Sequence, residues 1–179
     1  FSTSIGGTPR LVLGNGVTGY TYDGTTFATI SDVDFPSPTV KGWAWLDATT
    51  YVMNSGGDIY GSDLNDPTAW DPLNKIIAQV EPDGGVAIAK QLVYVIALKE
   101  WTTEIFYDAA NATGSPLGTV QGAKVPYGCA SGDSVRTMED VMFWLGLTRD
   151  GEPFVAQMSK VTAEVISTKA IDRLLKNAD

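Results

Sequence analysis

QLVYVIALKEWTTEIFYD, residues 91–108, reads as two short strands folded back on each other. Leu92–Ile96 is an apolar run of aromatic and β-branched residues, Lys99–Thr102 breaks it, and Thr103–Tyr107 resumes it. Three other segments follow the same plan: LVLGNGVTGYTYDG (11–24), TTYVMNSGGDIYGSD (49–63) and DVMFWLGLTRDGEPFVAQ (140–157). Aligned on the second strand, Tyr20, Ile59, Ile105 and Phe154 lie 39, 46 and 49 residues apart. A propeller blade takes about 40–50 residues. The predicted fold is therefore all-β, with about four β-propeller-like blades near 10–30, 40–80, 85–126 and 134–168, and a short C-terminal helix over 168–177. Four blades seldom close a propeller, so an incomplete propeller is among the expected forms.

The connections carry suitable turn chemistry. Asp23-Gly24, Asn54–Asp58 and Arg149–Glu152 supply residues that tolerate positive φ in tight hairpins. Leu92–Ile96 and Val141–Leu145 are nearly apolar throughout, which predicts sheets covered on both faces. At the end of the chain, Ser167 or Thr168 is expected to cap the helix, with Ala170, Ile171, Leu174 and Leu175 on one stripe. Asp66–Pro72 also allows a helical turn, with Asp66 as cap and Pro67 in the first position.

Composition narrows the chemistry. The chain of 179 residues carries 12 Lys+Arg against 21 Asp+Glu, a formal net charge of -9. That balance argues against gripping nucleic acid by neutralising phosphates. Without a single His, Ser-His-Asp and Cys-His catalysis, His-containing zinc sites and imidazole pH sensing are excluded. The lone Cys129 forms no intrachain disulfide and reads as a small buried hydrophobe. No uncharged apolar run approaches the roughly 20 residues of a membrane span. The opening FSTSIGGTPR is neither a signal peptide nor a Met-initiated start, so the chain is expected to begin inside a longer gene product.

The most distinctive segment is GDIYGSDLNDPTAWDPLN, residues 57–74. With Thr103–Tyr107, Val125–Ala130, Val141–Gly146 and Glu164–Ile171 in the same order, it resembles the packaged-DNA stabilisation proteins of short-tailed phages. Members of that family often carry His or another polar residue where this chain has Lys169. The resemblance implies a structural tail-hub or head-completion component, not an enzyme, with no cofactor and no catalytic or metal residues to carry over. It implies a ring-forming homo-oligomer in the full-length protein. Its partners would be the adaptor below the portal, the tail needle and the tailspike, with DNA only as passing cargo and no membrane contact. Localisation would be the virion, after assembly in the host cytoplasm. Residues 57–74 and 164–176 are then the expected docking segments, with Asp63, Asn65, Asp66, Trp70 and Lys169 as candidate interface residues.

Other features have simpler readings beside functional ones. A Trp that follows an Asx-Pro turn commonly plugs the space between sheets, so core packing is the first expectation for Trp70 and subunit contact the second. Asp32/Asp34, Asp63/Asp66 and Glu139/Asp140 are carboxylate pairs, and glycoside hydrolysis needs two carboxylates and no His. Asp is also favoured in turns for backbone reasons alone. Asp32/Asp34 is a weak calcium pattern that lacks the spacing of an EF-hand loop. Trp43 and Trp45 alternate on one strand face, which means core packing or, if both rings are exposed, a sugar platform. The alternative function is thus a tail-associated glycan-binding or glycan-cleaving propeller.

Overall fold

The computed structural model describes residues 2–5 and 8–177. Sheet 1 holds β1 (Ser2–Ile5), β2 (Thr8–Gly14), β3 (Gly19–Tyr22) and β4 (Phe27–Thr29). Sheet 2 holds β5 (Ala44–Leu46), β6 (Thr49–Met53), β7 (Asp58–Asp63) and β8 (Asp66–Ile77). Sheet 3 holds β9 (Gly85–Gln91), β10 (Tyr94–Lys99), β11 (Thr103–Asp108) and β12 (Leu117–Thr119). Sheet 4 holds β13 (Gly128–Cys129), β14 (Arg136–Met138), β15 (Val141–Leu147), β16 (Pro153–Ser159) and β17 (Thr162–Val165). Helix α1 (Lys169–Lys176) ends the described chain. Neighbours in sheets 1, 2 and 3 follow chain order, whereas β13 and β14 both pair with β15. The all-β, blade-like expectation and its short terminal helix match this architecture.

One turn device recurs. The Oδ1 of Asn15 accepts from the amides of Val17 and Thr18, and that of Asp23 from Thr25 and Thr26. Asn54 Oδ1 does the same for Gly56 and Asp58. In each case a nearby glycine (Gly16, Gly24 or Gly57) takes positive φ, where a side chain would be strained. Local sequence thus fixes these hairpins before any long-range packing.

The strand period of two then sorts side chains between layers. Val52 of β6 joins Val12, Ile30 and Trp70 between sheets 1 and 2. Its neighbours Tyr51 and Met53 turn the other way, onto Ile88, Val95, Ala97 and Phe106 of sheet 3. The intervening Ile96 and Leu98 of β10 face sheet 4 and meet Met142, Trp144 and Phe154. Each fully buried Val, Leu, Ile, Phe or Met contributes about 1.5–3 kcal/mol, so three such layers dominate the stability. Gly42 is where the chain from sheet 1 presses onto β9. Its φ is +85°, and a Cβ there would collide with the Ile88 carbonyl.

The stack has two open ends. β6 is buried at every position, as a strand covered on both faces must be. In contrast, β15 alternates, with Met142, Trp144 and Gly146 buried and the residues between them half-buried. The expectation of double cover for Val141–Leu145 is therefore corrected: among the described residues, sheet 4 has a neighbouring sheet on one face only. On sheet 1 the register Leu11↔Tyr22, Leu13↔Tyr20 and Tyr22↔Phe27 gathers these residues on the face away from sheet 2. Leu11, Leu13, Tyr22 and Phe27 are exposed there, with Tyr20 and Phe27 stacked at 5.1 Å.

Candidate functional site

The turn between β7 and β8 gathers four of the five candidate interface residues. Asn65 takes φ 59° and its amide donates to the Ala48 carbonyl at 2.7 Å, anchoring the tip to the β5–β6 turn. Asp63 pairs with Asp66, yet the next partner of the strand is Ser62↔Trp70, so residues 67–69 bulge out. Asp66 Oδ1 holds that bulge by accepting from the amide of Thr68 at 2.9 Å and its hydroxyl at 2.6 Å. The helical turn allowed by Asp66–Pro72 is thus corrected: capping chemistry is present, but ladder pairing with β7 keeps the segment a bulged strand.

The bulge aims Trp70 inward. Its indole Nε1 donates to the Pro67 carbonyl at 3.0 Å, and its ring meets Phe35 edge-on at 5.3 Å. The side chain is buried between sheets 1 and 2, as the plug reading expects. Asp63, Leu64 and Asn65 stay exposed, with Leu64 at 69 %. Outward, the turn presents an acidic rim around one apolar side chain. Lys169 stands apart on α1, exposed and 3.6 Å from Asp172. The structure brings Asp63, Asn65, Asp66 and Trp70 together on sheet 2 and leaves Lys169 beyond sheet 4.

The other singled-out residues are engaged locally. Asp32 Oδ1 accepts from the Asp34 amide at 2.9 Å, and its Oδ2 accepts from the Trp70 amide at 3.1 Å. Its carboxylate therefore pins the sheet 1–sheet 2 connection. Among the described residues, no group of three or more His, Cys, Asp or Glu is placed to hold a metal ion. Trp43 stacks on Phe35 at 5.9 Å, and the Lys90 amine lies 5.3 Å from the centroid of the half-buried Trp45 ring. The two rings therefore do not form an exposed platform. Cys129 is buried, and burial pushes its thiol up against a hydrogen bond to the Ser131 carbonyl.

Sequence reasoning missed one polar cluster. Lys99 ends the apolar strand β10 with a fully buried amine. Its Nζ lies 2.8 Å from Asp83 Oδ1 and 3.1 Å from Glu104 Oε1, and donates to the Glu81 carbonyl at 2.6 Å. Asp83 also accepts from the Trp101 and Thr102 amides and the Thr102 hydroxyl. Burial alone would raise the Asp83 carboxyl, but these donors outweigh it and hold it below the usual range. The cluster ties the connection after sheet 2 to the rim of sheet 3. A lysine closing an otherwise apolar strand was the available signal.

Face-to-face antiparallel sheets joined in series define a propeller-type chain of blades. The chain belongs to the family described as Bacteriophage P22 Gp10, beta-propeller, whose model matches residues 7–179. It is accordingly a phage structural protein. It is also similar to the crystal structure of BamB from Moraxella catarrhalis, at 8 % identity and a TM-score of 0.41. That match covers 93 % of this chain and spans 59 % of the BamB chain. No curated relative matches the chain. Among the described residues, no helix is long and apolar enough to cross a membrane.

Proposed function

We propose that this chain is part of a tail hub that completes the head, helps seal the portal channel and keeps packaged DNA in place. Family membership over residues 7–179 carries the reading. The mechanism is steric closure and scaffolding. The exposed apolar face of sheet 1 supports assembly into a ring, because it resembles the faces already buried inside the stack. The adaptor below the portal, the tail needle and the tailspike are the partners, met in the host cytoplasm during assembly. The exposed turn Asp63–Asp66 and the segment around Lys169 are the proposed contact points. A net charge of -9 suits a conduit, since a wall of like charge does not hold DNA during ejection.

Deleting the gene and supplying it in trans tests the reading. Particles made without the protein are expected to lose packaged DNA to nuclease and to lack tail components, with both defects reversed by complementation. Particles that keep their DNA and a full tail without it would overturn the proposal.

A further inference from the structure

The buried cluster around Lys99 does not balance its charge. One amine faces two carboxylates, Asp83 and Glu104, which leaves one negative charge in excess. Asp83 is sealed and accepts from Lys99, from the Trp101 and Thr102 amides and from the Thr102 hydroxyl. Glu104 is supplied more thinly. Its Oε1 accepts from Lys99 at 3.1 Å and from the Val80 amide at 3.0 Å. Its Oε2 accepts from no donor among the described residues and is not sealed from solvent. The side chain is 3 % exposed.

That remaining surface opens on a cavity of about 720 Å³, which Glu104 lines, between the end of β8 and the edge of sheet 3. Such a volume is within the range of ligand sites. Ile77, Val80, Ile105 and Val120 give it apolar walls. Its two cations are already answered: Lys75 lies 3.5 Å from Asp58, and Lys124 lies 2.5 Å from Glu81. Over the lining and the cluster together these pairs cancel, and the Glu104 carboxylate remains. A buried carboxylate short of counter-charge is costly, and a cation that reaches it relieves that cost. Among the described residues no group of three or more His, Cys, Asp or Glu is placed to hold a metal ion, so the cation that fits is an organic one with an apolar stem.

We propose that this cavity receives a lysine side chain from a partner protein of the virion. The ammonium donates to Glu104 Oε2, while its methylene stem lies along Ile77, Val80 and Val120. The carboxylate oxygens favour lysine over arginine. A guanidinium fits a carboxylate best through both oxygens, but Oε1 is already taken by Lys99 and the Val80 amide, whereas an ammonium is a point charge that one oxygen can hold. The inference rests on the reading that the chain is a scaffold for other tail proteins.

The test is a titration of the full chain with acetyl-Gly-Val-Lys-Val-Gly-amide, followed by amide chemical shifts, beside the same peptide carrying norleucine or arginine in place of lysine. Norleucine keeps the stem and removes the charge. The lysine peptide is expected to bind saturably, about tenfold tighter than the norleucine peptide and tighter than the arginine one, with shifts centred on Val80, Ile105 and Val120. Glu104→Gln removes the excess charge and is expected to erase the preference for lysine over norleucine. Ile77→Trp, at an exposed position on β8, crowds the cavity without touching the cluster. It is expected to weaken the lysine peptide several-fold with unchanged thermal unfolding, and it keeps the test decisive if Glu104→Gln does not fold. Equal binding of the lysine and norleucine peptides, tighter binding of the arginine peptide, shifts elsewhere, or no binding at millimolar peptide would overturn the assignment. Since no other virion component is present, such a failure rejects the cavity's ligand, whereas only the DNA-retention experiment rejects the tail-hub role.

Discussion

Lys99 is the residue on which the polar interior turns. A cation with two carboxylates and a carbonyl around it is stable only while all are present. Lys99→Met is expected to destabilise the chain by about 3–5 kcal/mol, because Asp83 and Glu104 are left buried without their counter-charge. Chemical denaturation reads that loss directly. The same cluster predicts an acid response. The Asp83 carboxyl is held low when folded, so its contribution is present above the unfolded carboxylate value of about 3.9. That contribution is lost as pH falls through the folded value. Asp83→Asn is therefore expected to be clearly less stable than the native chain at pH 7, with the gap closing as pH falls through the lowered folded value. An unchanging gap in paired denaturation curves would refute the assignment. The sequence offered only a lysine at the end of an apolar strand: Asp83, Lys99 and Glu104 meet because a connection folds back over two strands. Trp70 was legible, since an Asx-Pro turn followed by Trp carries its geometry locally.

At the scale of elements, local chemistry and pairing compete. Hairpins opened by Asn15, Asp23 and Asn54 were readable because side chain, turn and glycine lie within a few residues. β8 was misread as an allowed helical turn because Asp66 and Pro67 satisfy capping rules, while the opposing pattern sits on β7. Helix α1 shows the reverse failure. Its stripe was correctly placed, but which stripe turns inward depends on Ser167, whose hydroxyl accepts from the Val155 amide at 2.9 Å and donates to Asp172 at 2.5 Å. Thr168, at the cap position, makes no side-chain capping bond. The bulge in β8 exists to deliver Trp70 to the layer between sheets 1 and 2. Trp70→Ala is expected to cost about 3–5 kcal/mol, while Asn65→Asp, in the exposed turn, stays within about 0.5 kcal/mol. Thermal unfolding of the two variants separates the plug from the rim.

For the whole molecule, the open ends matter most. The repeat spacing already indicated blades, but the apolar run at Val141–Leu147 hid that its sheet lacks a second neighbour. Alternation in burial, a property of packing, was needed to show it. Association through the sheet 1 face is expected to make sedimentation concentration-dependent, and Leu13→Glu with Phe27→Glu to abolish that dependence while leaving the melting temperature nearly unchanged. A chain that stays monomeric at high concentration would remove the support this face lends to ring assembly.

Because each apolar layer joins only consecutive sheets, no blade depends on a distant one. Duplication or loss of a gene segment encoding one blade therefore leaves the remaining layers intact, provided each new junction brings two greasy faces together. Such a scaffold can change its reach in whole-blade steps without redesigning its interior.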